Sequence, residues 1–338
     1  MRRIKTWLLA AGLLAAPLAQ AELEVGMVAP ASGGAAPLGM GMQQGVEAYF
    51  AKLNAEGGIN GQTLSLTTFD DQYSPLQAAK YTRELVGNDS LLAAIGNVGT
   101  PTAAVTIPIY NQEKTLLFGA FTGAGILRRS PPDRYVINYR ASYVQETAAM
   151  IDGLLEAGIE PDEIAFFTQN DSFGDAGYNG AIRALNAQGI SNTEQLVHGR
   201  FSRGTRNVHQ GLASILQAPV TPRAVIIVGT FGPAADFIRE ARQDLPDALF
   251  LNVSFVGSQA LLDTLGPQAE GVIVTQVVPP LDADLPAVEE YRQAMAEYAP
   301  NATLDFISLE GIWPRSFLPR ALKPRAAILI EKLSWMAC

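Results

Sequence analysis

The sequence predicts an α/β fold of two lobes, each with a parallel central sheet and helices on both faces. Short apolar segments alternate with segments whose apolar residues recur at helical spacing, and the connections between them are short. A proline-containing segment at 129–134 separates two such series and is the best linker candidate. In open sheets of this class, ligands bind beyond the carboxyl ends of the strands, so the loops at those ends are the candidate binding loops.

The first series contains four predicted strands and three predicted helices. The strands are predicted at 22–29, 62–70, 91–95 and 115–119, and the helices at 40–54, 75–86 and 101–114. The segment 30–39, rich in glycine and proline, is expected to be a flexible loop. Ser74 is expected to cap the second helix, because a serine hydroxyl accepts a hydrogen bond from a free N–H of the first turn.

The second series repeats the same alternation after the linker candidate. Its strands are predicted at 163–168, 194–198, 224–228, 248–253 and 271–275, and its helices at 142–157, 173–187, 205–217, 233–242 and 258–265. The similar build of the two series predicts two lobes of the same architecture.

The first 21 residues have the pattern of a signal peptide. Three basic residues precede an apolar run at 7–18, and Ala19-Gln20-Ala21 fits a small-x-small cleavage site. The run is shorter than a membrane span, and no cysteine follows it as a lipoprotein signal would require. We therefore expect an exported, soluble protein whose mature chain begins near Glu22.

The composition argues against several functional classes. The net charge of −9 disfavours a nucleic-acid partner, because neutralising phosphates requires clustered lysines and arginines. Two histidines, His198 and His209, and one cysteine, Cys338, are too few for a His/Cys metal cluster. No metal and no cofactor are expected.

Two features of the sequence could suggest an enzyme, and each has a simpler interpretation. The glycines of Gly39-Met-Gly41-Met-Gln-Gln-Gly45 resemble a dinucleotide fingerprint, but free nicotinamide cofactors are scarce outside the cytoplasm, and we favour a helix start eased by glycine. A hydrolase needs a nucleophile within reach of a base. No Gly-x-Ser-x-Gly motif occurs, and neither histidine stands in a recognisable relation to a nucleophile, so we expect no enzyme activity.

The turn at 96–102 is the strongest candidate for a polar binding element. It follows a buried strand, and Thr100 is predicted to cap the next helix with Pro101 at its first position. Free N–H groups, the positive end of the helix dipole and the hydroxyls of Thr100 and Thr102 would then suit an anion or a carbonyl oxygen. The alternative is an ordinary helix start that faces water.

Other strand-end loops offer groups that complement this turn. The loop at 120–125 supplies Thr122 and exposed backbone, while Phe173 and Phe231 stand in two loops of the second lobe. Polar donors on one lobe and aromatic rings on the other would suit a small organic ligand held between the lobes. The alternative for each phenylalanine is ordinary core packing.

Several segments resemble the periplasmic substrate-binding proteins of branched-chain amino acid (Leu/Ile/Val-type) ABC transporters. The resemblance covers nearly all of 22–311 and implies a type I periplasmic-binding fold, in which two Rossmann-like lobes are joined by a hinge and close on a ligand. It also implies a periplasmic monomer that delivers its ligand to permease subunits of an ABC transporter. The segments are Met27–Pro30 with Ser32-Gly33, Asn54–Gly61, Gly96–Thr100, Asp171–Gly174 and Phe306–Gly311.

The resemblance also implies which residues bind the ligand. Gly99, Thr100, Ala120 and Thr122 would hold a ligand carboxylate. Phe173 and Phe231 would stand where the family often has tyrosines. The complete set of expected ligand-binding residues is Ser32, Leu38, Gly99, Thr100, Ala120, Thr122, Phe173, Phe231 and Ser254.

Two of these positions depart from the amino-acid binders of the family. Leu38 stands where those proteins have a tyrosine, and Ser254 stands where they usually carry the acid that pairs with the ligand ammonium. A buried ammonium without a counter-charge is costly. A carboxylate, amide or aromatic acid without the amine is therefore expected to fit better than an α-amino acid.

The resemblance implies a division into a signal peptide (1–21), lobe 1 (22–140), lobe 2 (141–275), a return to lobe 1 (276–311) and an atypical tail (312–338). The tail carries five basic residues against one acidic residue, and prolines at 314, 319 and 324 oppose a regular helix. We hypothesise a frameshifted reading of the gene that replaces or truncates the final elements. The coding DNA near codon 311 would test this.

These observations together predict an exported solute-binding protein that is not an enzyme. It would capture a small organic ligand, a carboxylate, amide or amino-acid-like compound, in an interlobe cleft for an ABC importer. The alternatives are a sensory component that feeds a membrane receptor and a poorly functional truncated homologue.

Overall fold

The computed structural model describes residues 22–312, which form two α/β lobes with a five-stranded parallel sheet in each. This arrangement confirms the predicted fold class. Within residues 22–312, no helix is both long and apolar enough to cross a membrane. The predictions for the signal peptide and for nearly all of the atypical tail lie outside the described residues.

Lobe 1 begins at the first described residue and alternates strands with helices. Its elements are β1 (Glu22–Ala29), α1 (Ala36–Ala55), β2 (Thr63–Asp70), α2 (Pro75–Val86), β3 (Leu91–Ile95), α3 (Thr100–Gln112), β4 (Leu117–Phe118) and β5 (Val136–Ile137). The strand order is β2-β1-β3-β4-β5, and all neighbours are parallel. β1 pairs with β2 on one side and β3 on the other and is largely buried, as expected of a strand covered on both faces.

Lobe 2 is a continuous segment with the same alternation. Its elements are α4 (Tyr143–Glu156), β6 (Ile164–Gln169), α5 (Ser172–Ala187), β7 (His198–Phe201), α6 (His209–Leu216), β8 (Ala224–Val228), α7 (Phe231–Asp244), β9 (Leu249–Asn252), α8 (Ser258–Leu265) and β10 (Val272–Val274). The strand order is β10-β9-β8-β6-β7. The central strands β6 and β8 are apolar runs that are buried along their whole length.

After β10 the chain returns to lobe 1 and forms α9 (Pro286–Tyr298) and α10 (Phe306–Ile312), both of which pack on α1. A Cβ on Gly45 of α1 would lie only 2.1 Å from the carbonyl oxygen of Ser308 in α10. Glycine is therefore required for this close approach of the two helices. The exact boundaries of the predicted domains remain predictions.

The glycines of the possible dinucleotide fingerprint lie inside α1 and not at its start. The prediction of a flexible loop through residue 39 is wrong, because α1 begins at Ala36 with Pro37 in its first turn. Proline fits there because its missing N–H would have no partner within the helix. The glycines at 39 and 45 instead allow backbone to approach α1 closely, which is a packing role.

Three further predictions of local structure are corrected. The strand predicted at 194–198 forms later, at His198–Phe201, because 193–195 is a 3₁₀ turn. The helix predicted from 205 begins at His209. The two-residue strand β5 was not predicted, since so short a segment shows no periodicity, and it extends the sheet of lobe 1 beyond the linker candidate.

Candidate functional site

A cavity of about 310 Å³ lies between the carboxyl-end loops of the two lobes. We call it the interlobe cavity. Its position agrees with the rule that open α/β sheets bind ligands beyond the carboxyl ends of their strands. The lining residues are Gly34, Ala35, Gln72, Tyr73 and Ser74 of lobe 1, and Gln169, Arg203, Gly204, Thr205, Arg206, Thr230, Phe231, Gly232 and Pro233 of lobe 2.

The wall that lobe 1 contributes is fixed by two aspartates at the end of β2. The Asp70 carboxylate accepts hydrogen bonds from the backbone N–H groups of Ala31 (2.9 Å) and Gln72 (3.0 Å) and from the Ser32 hydroxyl (2.6 Å). The buried Asp71 carboxylate accepts one from the Tyr73 N–H at 2.8 Å. These hydrogen bonds hold the loop after β2 in a backbone conformation that its own residue types do not favour.

The Tyr73 side chain is one of the groups of lobe 1 that contact lobe 2. Its ring centroid lies 6.2 Å from that of Phe255. On its other side the ring lies so close to Gly99 that a Cβ there would be 2.4 Å from Tyr73 Cε2. Gly99 also has φ = 108°, so both space and backbone require glycine at this position. Tyr73 therefore stands between the interlobe cavity and the turn after β3.

Two arginines line the interlobe cavity. They are Arg203 and Arg206, and none of the described lining residues is acidic. Arg206 is neutralised by Asp236, with which it makes two hydrogen bonds. Arg203 is held more loosely, at 3.4 Å from Asp171, and its side chain is 33% exposed. Arg203 is thus the cation best able to meet an anionic ligand.

Beyond Tyr73 lies a dense group that we call the inner cluster: Thr100, Thr122, Tyr143, Phe173 and Phe255. The Thr100 and Thr122 hydroxyls are 2.6 Å apart, and the Thr122 hydroxyl lies 3.3 Å from that of Tyr143. The Phe173 ring centroid is 5.3 Å from that of Tyr143 and 4.6 Å from that of Phe255. All five side chains are buried, so the two lobes pack directly against each other here.

A buried ionic network, which we call the crossover network, lies next to the inner cluster. The Arg140 guanidinium donates to the carboxylate of Glu310 and to the hydroxyl of Ser254. The Glu146 carboxylate accepts from the Ser254 N–H at 2.8 Å and from the Thr275 hydroxyl at 2.6 Å. The network joins α10 of lobe 1 to lobe 2 and to the segments that connect the lobes.

The charge on Arg140 is favoured by its surroundings. Burial opposes the charge, but the carboxylates of Glu310 and Glu146 outweigh this effect and raise the pKa of the guanidinium. The guanidinium carbon also lies 4.2 Å from the centroid of the Phe121 ring. A cation over an aromatic face is attracted by the ring quadrupole.

The structure brings some of the expected ligand-binding residues together and separates others. Thr100, Thr122 and Phe173 meet in the inner cluster, and Ala120 is buried in the core of lobe 1. Only Phe231 lines the interlobe cavity. A ligand-binding role for the full set remains a prediction.

Three expected residues occupy separate positions around the cleft. Ser32 is exposed and donates to Asp70. Leu38 is fully buried, and a Cβ on Gly257 would lie 2.9 Å from its Cδ2 atom. Ser254 accepts from Arg140, so a protein cation lies beside the position where the amino-acid binders of the family usually carry an acid.

The predicted caps of two helices are corrected. Thr100 is the first residue of α3 and not its cap; Gly99 occupies the cap position, because its positive φ turns the chain into the helix. The Thr100 hydroxyl is engaged with Thr122 instead. Ser74 does occupy the cap position of α2, but its side chain makes no capping hydrogen bond.

Sequence reasoning missed most of the interlobe cavity. The loops after residues 70, 168 and 228 were identified as candidate loops, but Tyr73, Gln169 and Thr230 were not singled out within or beside them. The loop after β7, which carries Arg203 and Arg206, was missed because the strand itself was placed too early. Two arginines three positions apart in a strand-end loop were the available signal.

Neither histidine is arranged for catalysis. His198 shares a hydrogen bond of 2.7 Å with the Thr168 hydroxyl and stacks on Tyr178 at 4.1 Å. Burial lowers the pKa of His198 to about 4, so its ring is neutral at neutral pH. His209 is on the surface beside Glu240. Within residues 22–312, no group of three potential metal ligands occurs.

Known proteins share this architecture and are similar in sequence. A family model described as "Periplasmic binding protein" matches residues 22–323. The crystal structure of a possible leucine/isoleucine/valine-binding protein from Rhodopirellula baltica is 46% identical and has a TM-score of 0.87, over 91% of this chain and 83% of that chain. A substrate-binding periplasmic protein from Ralstonia solanacearum is 28% identical with a TM-score of 0.78, over 86% and 81% of the two chains.

A curated relative agrees with this assignment. The Leu/Ile/Val-binding protein homolog 2 of Brucella abortus is 26% identical over 75% of this chain and 67% of its own length. The match of the family model, the two lobes and the cavity between them confirm the resemblance found in the sequence. The chain belongs to the periplasmic binding protein family.

Proposed function

We propose that this protein is an exported solute-binding protein that holds a small organic carboxylate in the interlobe cavity and delivers it to an ABC importer. The observation that carries the proposal is the cavity itself. Both lobes line it, Arg203 is one of its lining residues, and none of the described lining residues is acidic. Its volume is near the lower end of small-molecule pockets, about 300–1,000 Å³. The protein is proposed to have no enzyme activity.

The charges around the cavity favour a ligand without an ammonium group. Amino-acid ligands carry both a carboxylate and an ammonium, and a buried ammonium needs a counter-charge. Arg203 offers a partner for the carboxylate, while position 254, where the amino-acid binders of the family usually carry an acid, holds a serine that accepts from Arg140. Tyr73 and Phe231 supply apolar walls for the rest of the ligand.

Thermal denaturation of the purified protein with matched ligands tests this proposal. We expect 4-methylpentanoate, which is leucine without its amino group, and benzoate to raise the midpoint more than L-leucine does. A ligand at a hundred times its Kd adds about 2.7 kcal/mol to stability. With an unfolding entropy of about 2.1 cal/mol/K per residue, that corresponds to roughly 4 °C for about 300 folded residues.

The variant Arg203→Gln and a matched control complete the experiment. Removing the guanidinium is expected to weaken binding of either acid by about 10–100-fold, the contribution of a hydrogen bond to a charged group. Arg183→Gln changes an exposed arginine that does not line the cavity and should leave binding unchanged. A larger shift with L-leucine than with the two acids would contradict the proposed ligand class.

The transport role has its own test. A strain without this gene should lose uptake of the same radiolabelled acid, and the protein should be recovered from the periplasmic fraction. Unchanged uptake in that strain would contradict delivery to an importer.

A further inference from the structure

The N-terminus of α7 opens onto the interlobe cavity. Thr230, which precedes the helix, and the first two helical residues, Phe231 and Gly232, all line the cavity. The first N–H groups of a helix have no acceptor within it. Within residues 22–312, the N–H groups of Phe231 and Gly232 find no acceptor elsewhere either. An anion in the cavity could therefore meet two N–H groups at the positive end of the helix dipole.

The Thr230 hydroxyl faces the same space without a partner. The residue is only 7% exposed, yet its side chain makes no capping hydrogen bond with α7 and no other hydrogen bond within the described chain. The hydroxyl is not enclosed by protein, in contrast to the unpartnered hydroxyl of Thr106. Because Thr230 lines the interlobe cavity, its accessible hydroxyl opens into that cavity. It can donate to an anion that also meets the two N–H groups.

Positive charge surrounds this end of α7. Arg203 and Arg206 line the same cavity, and a Cβ on Gly232 would lie 3.8 Å from the guanidinium carbon of Arg206. A cation beside a helix N-terminus is unfavourable, and Asp236 of α7 offsets this one by accepting two hydrogen bonds from Arg206. An anionic group at this end would be attracted by the helix and by Arg203, whereas an ammonium would be repelled by both.

Lobe 1 offers a poorer place for the same anion. Its lining residues carry no charge, and the helix that begins beside Ser74 has at its first position Pro75, which has no N–H. The Thr100 and Thr122 hydroxyls, which were expected to hold a carboxylate, are buried and lie 2.6 Å from each other. The charged end of a ligand in the interlobe cavity therefore has more donors on lobe 2.

We propose that the N-terminus of α7, together with the Thr230 hydroxyl, binds the ligand carboxylate. This inference rests on the proposed function and adds which lobe holds the charged end of the ligand. The Thr230 hydroxyl and the N–H groups of Phe231 and Gly232 donate to the carboxylate, and Arg203 supplies the opposite charge. The other end of the ligand then faces lobe 1 beside the Tyr73 ring. The site therefore takes a monocarboxylate whose other end is uncharged.

The variant Thr230→Val tests this inference because it removes the hydroxyl and keeps the shape of the side chain. The extended backbone of Thr230, with φ of −81° and ψ of 160°, suits valine. Affinity for 4-methylpentanoate and benzoate, measured by calorimetry, should fall by about 10–100-fold, the contribution of a hydrogen bond to a charged group. The melting point of the empty variant should stay close to that of the wild type, since the hydroxyl has no partner to lose. Thr230→Ser keeps the hydroxyl and should retain most of the affinity.

The variant Thr230→Asp places a carboxylate of the protein at the proposed site. Aspartate is a good cap, so its side chain should accept from the free N–H groups of α7 and raise the melting point of the empty protein. The ligand acids should then lose at least about 100-fold in affinity, because a like charge already occupies their place. Unchanged acid affinity in this variant would overturn the inference.

Thr168→Val is the matched control. Thr168 is another buried threonine of lobe 2, but its hydroxyl shares a hydrogen bond of 2.7 Å with His198 and does not line the cavity. This variant should melt lower than the wild type and bind both acids with unchanged affinity. An equal loss of affinity in Thr168→Val and Thr230→Val would overturn the inference.

A crystal structure of the benzoate complex locates the carboxylate directly. We expect a carboxylate oxygen within hydrogen-bond distance of Thr230 Oγ1 and of the Gly232 nitrogen. A carboxylate on Thr100 and Thr122 of lobe 1 would overturn the inference, as would unchanged affinity in Thr230→Val. In each of these cases acid binding by the wild type would leave the proposed function standing. A wild type that binds none of the acids would overturn the proposed function, and the role of Thr230 with it.

Discussion

Breaking the ion pair between Arg140 and Glu310 should destabilise the protein strongly. The two side chains are only 1% and 3% exposed, so Glu310→Gln leaves the guanidinium buried without its closest carboxylate. Removing one partner of a buried pair costs about 3–5 kcal/mol, because the other charge stays in a low-dielectric environment. We expect a loss of that size in the free energy of unfolding, measured by urea denaturation.

A double-mutant cycle separates the pair from its surroundings. Arg140→Met alone should also be costly, but Arg140→Met combined with Glu310→Gln should cost less than the sum, with a coupling of about 2–3 kcal/mol. The coupling should change little with salt, since buried pairs are poorly screened. The exposed pair of Arg223 and Glu163, whose charged atoms are 3.0 Å apart, is the control and should show a coupling below about 1 kcal/mol. Additive single effects at Arg140 and Glu310 would refute the reasoning.

Three further changes probe other parts of the structure. Burial raises the pKa of Asp71 from 3.8 to about 7, so folding favours the protonated acid. The contribution of this acid to the free energy of unfolding is complete below about pH 4 and is lost as the pH rises to 7. Asp71→Asn should remove this pH dependence, worth up to about 4 kcal/mol between pH 4 and 7, from the free energy of unfolding measured by urea denaturation. An unchanged pH dependence would contradict the raised pKa of Asp71. Thr122→Val should cost about 1–3 kcal/mol in the same assay, because the Thr100 hydroxyl loses its partner at 2.6 Å, whereas a neutral result would show that another group replaces it. Gly45→Ala should lower the thermal midpoint by several degrees, since the alanine Cβ would lie 2.1 Å from the Ser308 carbonyl oxygen. An unchanged midpoint would mean that α10 can move away from α1 at no cost in stability.

The sequence was sufficient to predict the two lobes because their strands are continuous apolar runs. β6 and β8 are buried on both faces, and such strands can be predicted from their apolar composition alone. The pairing of the Thr100 and Thr122 loops also followed, since both leave the carboxyl end of one sheet. Short elements such as β5 could not be predicted, because two residues carry no periodic signal.

The composition of the interlobe cavity depends on features that no local pattern shows. Tyr73 reaches lobe 2 because two aspartate side chains hold left-handed backbone at non-glycine residues. Phe173 was expected to face a ligand, yet it packs against Phe255, a contact set by how the lobes meet. Arg140 and Glu310 are 170 positions apart in the chain, and only the tertiary structure brings them together.

The return of α9 and α10 to lobe 1 constrains the order in which the chain can fold. Lobe 2, from α4 to β10, is contiguous and can complete its sheet and helices from local connections. Lobe 1 cannot, because the face of α1 at Gly45 is covered only when residues near Ser308 arrive. Closing so long a loop carries an entropic cost that slows folding. During synthesis, lobe 1 therefore stays incomplete until nearly all of the described chain has emerged, and the face of α1 at Gly45 stays uncovered for that time.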